Sequence, residues 1–596
     1  MLQPIHIAYV DGPRYRRAML AGARQLMLHY QELNAINVFP VPDSDTGTNL
    51  KALAQHLILH LKDWHHHRLD ATAQTVAEQA LIGARGNSGA IFAQFLCGLS
   101  DALHNLPRAS AIPFAQALLH AADTAYQALT DPREGTILSV ASTWTRAFSE
   151  ETRHTGDFLL LMKTSLPVAK QALQTTEHQL DVLREAHVVD AGALGFYYFL
   201  QGIYHYICHG PLEPAVELPD EEVSPPVQHL IPDGNTYRYC TEGLLLGKQL
   251  NHDVLQHLLA PLGDSLVIAG GTKLVRFHIH TDQPHEVFRR LRPLGRLASE
   301  KVDDLFLQTH RSQTAIAVVT DSGCDLPDGV RDRYGIFTVP YRILFCEDSY
   351  LDRYGITPEE FFHLLEHHPC HPTTSQPSPA DLKRVYEQAL QHARHVISIH
   401  VTSKHSGTYQ SALHVARRFD GHVHVVDSRS ISIGIGLLAL TAAACAERGL
   451  SVEETLHHVY TARKHLRAYL TLETLEYLVR GGRVHALKGF IGRVLHARPL
   501  LMIDEEGVLK PSGQAFNQEK ALQKVMDRTL TYAQTLHNPR FAIAHARAPE
   551  AAEHLADEIR RTYGPDVDLY ITALSPAFSV HGGPGTVGIG VTELLP

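Results

Sequence analysis

An all-α domain, then a small α+β domain, then an α/β module is the multidomain fold class that this 596-residue sequence predicts. Three observations predict it. The chain is several times longer than one hydrophobic core organises. Its apolar residues recur with helical spacing in the first third, and afterwards switch to short strand-like runs interspersed with helices. Between these regimes lies GPLEPAVELPDEEVSPPVQ, Gly210 to Gln228, whose proline and acidic content is that of an exposed linker. The expected divisions are 1–208 for the helical domain, 209–228 for the linker, 229–312 for the middle domain and 313–596 for the last module.

From Ala18 to Cys208 the pattern gives amphipathic helices, including Lys51–Leu61, Ala73–Leu81 and Phe114–Ala128. Between Thr236 and Thr309 the runs RYCTEGLLLG, DSLVIAGG and LVRFHIHTD read as strands, with helices at Asn251–Leu262 and His285–Leu291. From Ala315 onward AIAVVTDS, HVISIHVTS, HVHVVDS and FAIAHA read as strands separated by helices. That alternation belongs to an open α/β sheet, which binds ligands beyond the carboxyl ends of its strands.

Composition narrows the function. Hydrophobic residues make up 44% and charged residues 19%, the balance of a globular chain. The net charge of -10, with no run of Lys or Arg, disfavours nucleic acid as a partner. The N-terminus lacks the basic-then-apolar plan of a signal peptide, and the apolar stretch Gly434–Ala446 is too short to span a bilayer, so a cytoplasmic location is expected. Seven dispersed cysteines argue against a disulfide framework.

The segment from Asn37 to Leu50, NVFPVPDSDTGTNL, sets Asp43 and Asp45 two residues apart just before a helix. Paired carboxylates suit Mg2+, which takes oxygen ligands and shares them with nucleotide phosphates. The helix that Thr46, Gly47 and Thr48 open favours an anion at its N-terminus. Three further loops, GARGNSG (83–89), EGT (134–136) and DAGALG (190–195), also precede apolar helices. Any one of them taken singly reads more readily as a capped turn; four in one helical domain point to phosphate binding.

In the middle domain His278 and His280, one residue apart on a strand, point to one face, and Cys240 lies in another strand-like run. A Cys-His-His set suits zinc. The same residues also read as the polar face of a strand beside an inert buried thiol. In the last module, hydroxyls, arginine and glycine gather at strand-to-helix turns: PTTSQPS (372–378), SGTYQS (406–411), LVRGGR (478–483) and HGGPG (581–585). Such a set suits a carboxylate whose apolar tail is buried. Ordinary caps and turns use the same residues.

NVFPVPDSDTGTN, GARGNSGA, EGTIL and VVDAGALG resemble the nucleotide loops of DhaL-type kinase domains, found in dihydroxyacetone kinases and at the N-terminus of fatty acid kinases. The resemblance implies an antiparallel helical barrel with Mg-ATP at one end. It implies that Asp43, Asp45 and Asn37 hold Mg2+, that Thr46, Thr48, Asn49, Asn87 and Ser88 contact the nucleotide, and that Asp190 and Gly192 lie near it. Ser44 stands where that family usually has glycine. YCTEGLLLG and VRFHIHTDQPHEVF resemble the fatty acid kinase middle domain, which implies a structural Zn2+ on Cys240, His278 and His280. Residues 315–596 resemble the DegV family of fatty-acid-binding proteins, which implies two α/β subdomains enclosing an acyl chain. Thr374, Ser375, Ser406, Arg483 and His581 are then the expected carboxylate ligands, with Arg483 and His581 also presenting the acid for reaction. His405, in place of an apolar residue, is expected near the carboxylate and to make binding pH-sensitive.

These resemblances imply ATP-dependent phosphorylation of a fatty acid to an acyl phosphate, with kinase and carrier in one chain. A downstream acyltransferase at the membrane surface is a candidate partner, and a homodimer is an assembly open to the chain. Two other readings stay open: a dihydroxyacetone-type kinase of a small hydroxyl substrate, and a lipid-binding regulator whose kinase domain is inactive.

Overall fold

A computed structural model describes residues 6–39, 45–210, 237–309, 314–483 and 497–594. The chain divides into two compact units, 1–309 and 310–596.

In the first unit, after a short strand β1 (Val10–Asp11), the helices are α1 (Gly12–Ala35), α2 (Thr46–Leu61), α3 (Leu69–Gly83) and α4 (Gly86–Ala102). Then come β2 (Arg108–Ala109), α5 (Ala111–Gln127), α6 (Ile137–Glu151), α7 (Phe158–Gln179), α8 (Asp181–Ala186) and α9 (Ala191–His209). Local signals start several of them. Asp11 caps α1 by accepting from Arg14 N at 3.0 Å, with Pro13 in the first turn; Thr136, Asp157 and Asp190 cap α6, α7 and α9 the same way. Each long helix packs against the next, and α9 closes on α1, so the bundle is a ring. Leu26, Leu50, Phe92 and Phe196 are buried inside it, and Phe92 makes edge-to-face contacts with Phe196 and Phe199. Because successive helices reverse direction through short connections, α2, α4, α6 and α9 all begin at the same end.

The rest of this unit is an antiparallel sheet of strands β3 (Tyr239–Leu246), β4 (Gly263–Gly270), β5 (Leu274–Thr281) and β6 (Arg296–Asp304), in the order β4-β5-β3-β6, with α10 (His252–Leu259) and α11 (Pro284–Leu291). The sheet seals onto the helical ring. Ile268 N donates to Ala128 O at 3.0 Å, Gly270 N donates to the Gln94 side chain at 2.6 Å, and Leu129 bridges Val267.

In the second unit β7 (Thr314–Asp321), β8 (Phe337–Val339), β12 (Ala393–His400) and β13 (Val423–Asp427) form a parallel sheet ordered β13-β12-β7-β8. A small antiparallel sheet joins β9 (Arg342–Phe345), β10 (Asp348–Leu351) and β11 (Thr373–Ser375) in the order β10-β9-β11. A larger mixed sheet follows: β14 (Arg467–Thr471), β15 (Arg498–Ile503), β16 (Leu509–Ala515), β17 (Pro539–His545), β18 (Leu569–Ala573) and β19 (Val587–Glu593), ordered β16-β15-β14-β19-β17-β18. The helix Ile433–Glu447 is apolar on every side because it packs against both the parallel and the mixed sheet. This unit is therefore two α/β layers sharing a buried helix.

One expectation is corrected here. Cys346 and Cys370 form a disulfide, with Cα atoms 5.8 Å apart. Their 24-residue separation hid the pairing, which the β9-β10 hairpin and the adjacent β11 create by folding back on each other. The other five cysteines are free. No helix among the described residues is long and apolar enough to cross a membrane.

Candidate functional site

The end of the ring where α2, α4, α6 and α9 begin collects the glycine-bearing loops. Asn49, in the first turn of α2, packs over Gly86 so closely that a Cβ there would lie 2.4 Å from its Nδ2; Gly86 also has φ +58°, so glycine is required twice over. Ser88 faces Gly192, its Oγ 3.0 Å from where a Cβ would stand. Asp190 spans two helix starts, accepting from Ala193 N at 2.7 Å and from the backbone of Ile137. Burial pushes its carboxyl up to about 6 against the pull of those two amides. Four helix N-termini thus converge, each with orphan amides and the positive end of a dipole.

The predicted residues fall at this end with differing engagements. Asp45 precedes α2 without capping it. Thr46 donates to Asn37 Oδ1 at 2.7 Å, and both are buried. Thr48 is held by Asn34, which accepts from its N–H and donates to its Oγ1, both at 2.9 Å. Asn87 Oδ1 is buried and has no hydrogen-bond partner among the described residues. Glu134 accepts from Tyr126 and Ser139, bracing the loop before α6. Asp43 and Ser44 lie outside the described residues, as does most of the linker.

The middle sheet brings Cys240, His278 and His280 together, all buried, with one potential ligand atom from each within 4.8 Å of the others. Strand register does this: Cys240 lies opposite His280, and Glu242 opposite His278. Cys240 Sγ is 3.7 Å from His278 Nδ1, while His278 Nε2 has no partner among the described residues. Burial raises the thiol and pushes His278 down to about 3, so the imidazole is neutral, the form that ligates a metal. The donor set fits zinc.

The sequence reading missed what stands beside this cluster. Glu242 is fully buried and accepts from Gly86 N at 3.2 Å and from Arg276 Nη2 at 2.9 Å, while Lys301 Nζ lies 3.0 Å from its other oxygen. Burial alone would raise its carboxyl, but Lys301 and Arg276 outweigh it and hold it well below the usual range. A middle-domain carboxylate therefore occupies the first amide of α4, inside the loop assigned to nucleotide. The available signal was a lone glutamate in the apolar run of β3, matched by an arginine in β5.

In the second unit an apolar cavity of about 80 Å3 is lined by Ile433, Leu470, Leu478, Leu574 and Phe578, and His581 stands on its wall. Thr374 Oγ1 is 3.1 Å from His581 Nε2. Gly481 lies against the other edge of that ring, where a Cβ would come within 2.2 Å of Nδ1. Arg483, whose Nη1 donates to Gly481 O at 2.6 Å, is close enough to act on both His581 and His405 electrostatically. Ser406 pairs with Thr408 at 2.8 Å, and Ser375 bonds the Gln376 carbonyl. His405 Nε2 accepts from Leu509 N at 3.0 Å, and burial followed by Arg483 lowers its pKa, which moves its titration below the ordinary imidazole range.

A Ser398–His400–Asp321 chain in the same unit has the spacing of a hydrolase triad, 2.7 and 3.2 Å, but all three residues are completely buried. It ties β7 to β12 where no substrate reaches.

Burial, then Arg483, His371 and His405, push His581 down to about 3. A histidine depressed in the folded state binds its proton better when unfolded. Its contribution is therefore present above pH 6.5 and lost as pH falls from there toward 3. Lowering the pH from 7 to 4.5 should remove roughly 2–3 kcal/mol through this group. Urea unfolding of the wild type and His581→Gln at both pH values checks it: the variant should lose less.

Comparison with known proteins follows the same division. Residues 40–205 match the DAK2 domain, 236–312 the fatty acid kinase-like middle domain, and 315–594 the DegV family. A DegV domain-containing protein of Caldanaerobacter subterraneus subsp. tengcongensis is 34% identical over 280 residues, 47% of this chain and 99% of that one. An uncharacterized protein of Staphylococcus saprophyticus is 29% identical over 308 residues, which are 50% of this chain; the match spans about half of that relative, 56%. The structure described as fatty acid binding of a DegV family protein from Thermus thermophilus is 35% identical, covering 47% of this chain and 100% of that one, with a TM-score of 0.45. The chain therefore belongs to the DegV family, its DegV domain following a DAK2 domain and a fatty acid kinase-like middle domain in a single polypeptide.

Proposed function

We propose that this chain transfers the γ-phosphoryl group of ATP to a fatty acid carboxylate, giving an acyl phosphate and ADP, and that it carries its own acyl-binding module. The observation that carries this reading is the apolar cavity walled by His581, with Thr374 bonded to that ring and Arg483 bonded to Gly481, which packs against it. An apolar lining suits an acyl tail, and a guanidinium near a hydroxyl–imidazole pair suits a carboxylate head. The middle domain favours the same substrate, since a fatty acid kinase-like module joins the DAK2 domain here.

A carboxylate at neutral pH is already ionised and nucleophilic, so the reaction needs alignment and charge neutralisation more than a general base. The uncapped N-terminus of α2 and the amides of α4 beyond Gly86 would meet the phosphates, and Asn87 Oδ1 offers an unused acceptor to a donor on the nucleotide. Asp43 and Asp45, together with Asn37, would hold Mg2+, which when bound supplies neutralisation of phosphate charge. Arg483 would orient the acid while His581, kept neutral by burial, holds a hydrogen bond without adding charge. The cytoplasm is the compartment this chemistry suits, and an acyltransferase at the membrane surface is the kind of protein that would consume the product. Incubation with ATP, Mg2+ and oleate, trapping the acyl phosphate as a hydroxamate with hydroxylamine, tests the reading; ATP turnover with dihydroxyacetone and none with oleate would reverse it.

Cys240, His278 and His280 would hold one structural Zn2+. Cys240→Ser or His278→Ala should lower the zinc content of the purified protein from about one per chain to near zero and lower the Tm of the first unit, because structural metal binding contributes folding energy. Elemental analysis finding no zinc in the wild type would dismiss the site.

A further inference from the structure

Cys346 and Cys370 are set apart from the other cysteines by position. Four of the five free thiols are buried, whereas Cys346 is exposed in the turn between β9 and β10 and Cys370 is half-buried. Their Cα separation of 5.8 Å is one that a disulfide bridges without moving the backbone. Both also lie just beyond the N-terminal end of β11, the strand that carries Thr374.

β11 is weakly held. It has three residues, sits on the edge of its sheet and, among the described residues, pairs only with β9, Thr373 opposite Leu344, Thr374 opposite Ile343 and Ser375 opposite Arg342. The ladder cannot continue toward Cys370, because the next residue is Pro372, which has no N–H to donate. The crosslink stands just past that break, joining the turn after β9 to the segment before β11. It fastens the strand where hydrogen bonding fails, and Thr374 then meets His581 at 3.1 Å from a fixed backbone.

We infer that Cys346 and Cys370 are a reversible thiol–disulfide site whose oxidation tightens the carboxylate end of the acyl cavity. The inference rests on reading that cavity as a fatty acid site. The reaction partner is a small-molecule disulfide. The thiolate of exposed Cys346 attacks one of its sulfurs, forming a mixed disulfide and expelling one thiolate. The Cys370 thiolate then attacks the Cys346 sulfur and expels the second. Two protein thiols are oxidised, one external disulfide is reduced to two thiols, and two protons leave with them. In a reducing compartment such a pair cycles, where a buried structural bond would not.

The experiment uses the full chain. After treatment with oxidised glutathione, denaturation and alkylation should label five thiols, and seven after reduction. Titration with cis-parinaric acid, a fluorescent fatty acid, should show affinity roughly fivefold or more weaker after reduction, the usual lower range of site-to-site coupling. Cys346→Ser and Cys370→Ser should bind like the reduced wild type under either treatment. Seven labelled thiols after oxidised glutathione, or an affinity indifferent to reductant, overturns the inference. No parinaric acid binding in either state, with the five-thiol count intact, overturns the lipid reading of the cavity instead.

Discussion

Asp45→Ala and Asp43→Ala should each lower oleate-dependent ADP release about a thousandfold or more while leaving parinaric acid binding unchanged. A bound cation that neutralises transferring phosphate is worth several kcal/mol in the transition state, and each 1.4 kcal/mol is about tenfold in rate. The structure places Asp45 at the mouth of α2 without capping that helix, so its loss should leave the helix start intact. The acyl cavity belongs to the other compact unit, so its affinity should not follow. Activity retained in both variants would remove the aspartates from the metal site. Loss of lipid binding alongside activity would instead show that the substitutions unfold more than a loop.

Arg483→Ala should weaken oleate binding thirty- to a hundredfold, about 2–3 kcal/mol for a charge-assisted bond in a partly desolvated pocket. One of its N–H groups goes to Gly481 O, within electrostatic reach of His581, which leaves the guanidinium further donors. Oleyl alcohol, of equal length but uncharged, should bind both proteins about equally. This contrast separates an effect on the carboxylate from general damage to the cavity. Dihydroxyacetone-dependent turnover indifferent to Arg483 would favour the small-hydroxyl kinase, and unchanged oleate affinity in the variant would move the carboxylate elsewhere.

Helical spacing and loop chemistry made the ring and its loop-bearing end legible, because both are local. Asn49, Ser88 and Asp190 are each marked by a glycine nearby in sequence, and the fold needs only to close the ring to bring them together. The cluster in the middle sheet was legible for the same reason, since two histidines at i and i+2 must share a face. What escaped depends on register between distant strands. Glu242 reads as one polar residue in an apolar run until β3 is laid against β5 and β6, which supply Arg276 and Lys301. β6 itself, RLASEKVDD, was not predicted as a strand, because an edge strand need not carry a continuous apolar face. The Cys346–Cys370 pair and the neighbourhood of Arg483 and His581 are likewise products of topology. The loop of Asp43 is clear in sequence and lies outside the described residues.

The seam between the helical ring and the middle sheet bears on how this unit folds. The backbone bonds at Ala128 and the Gln94 contact hold one edge, and Glu242 anchors another at Gly86. Cutting the chain at the family boundary would leave the Gly86 amide without its buried acceptor, while Glu242 and Arg276 would lose the apolar cover that makes their pairing strong. Two modules that are recognised separately by sequence should therefore unfold together, and the amide proton of Gly86 should exchange with solvent at the pace of the sheet's opening.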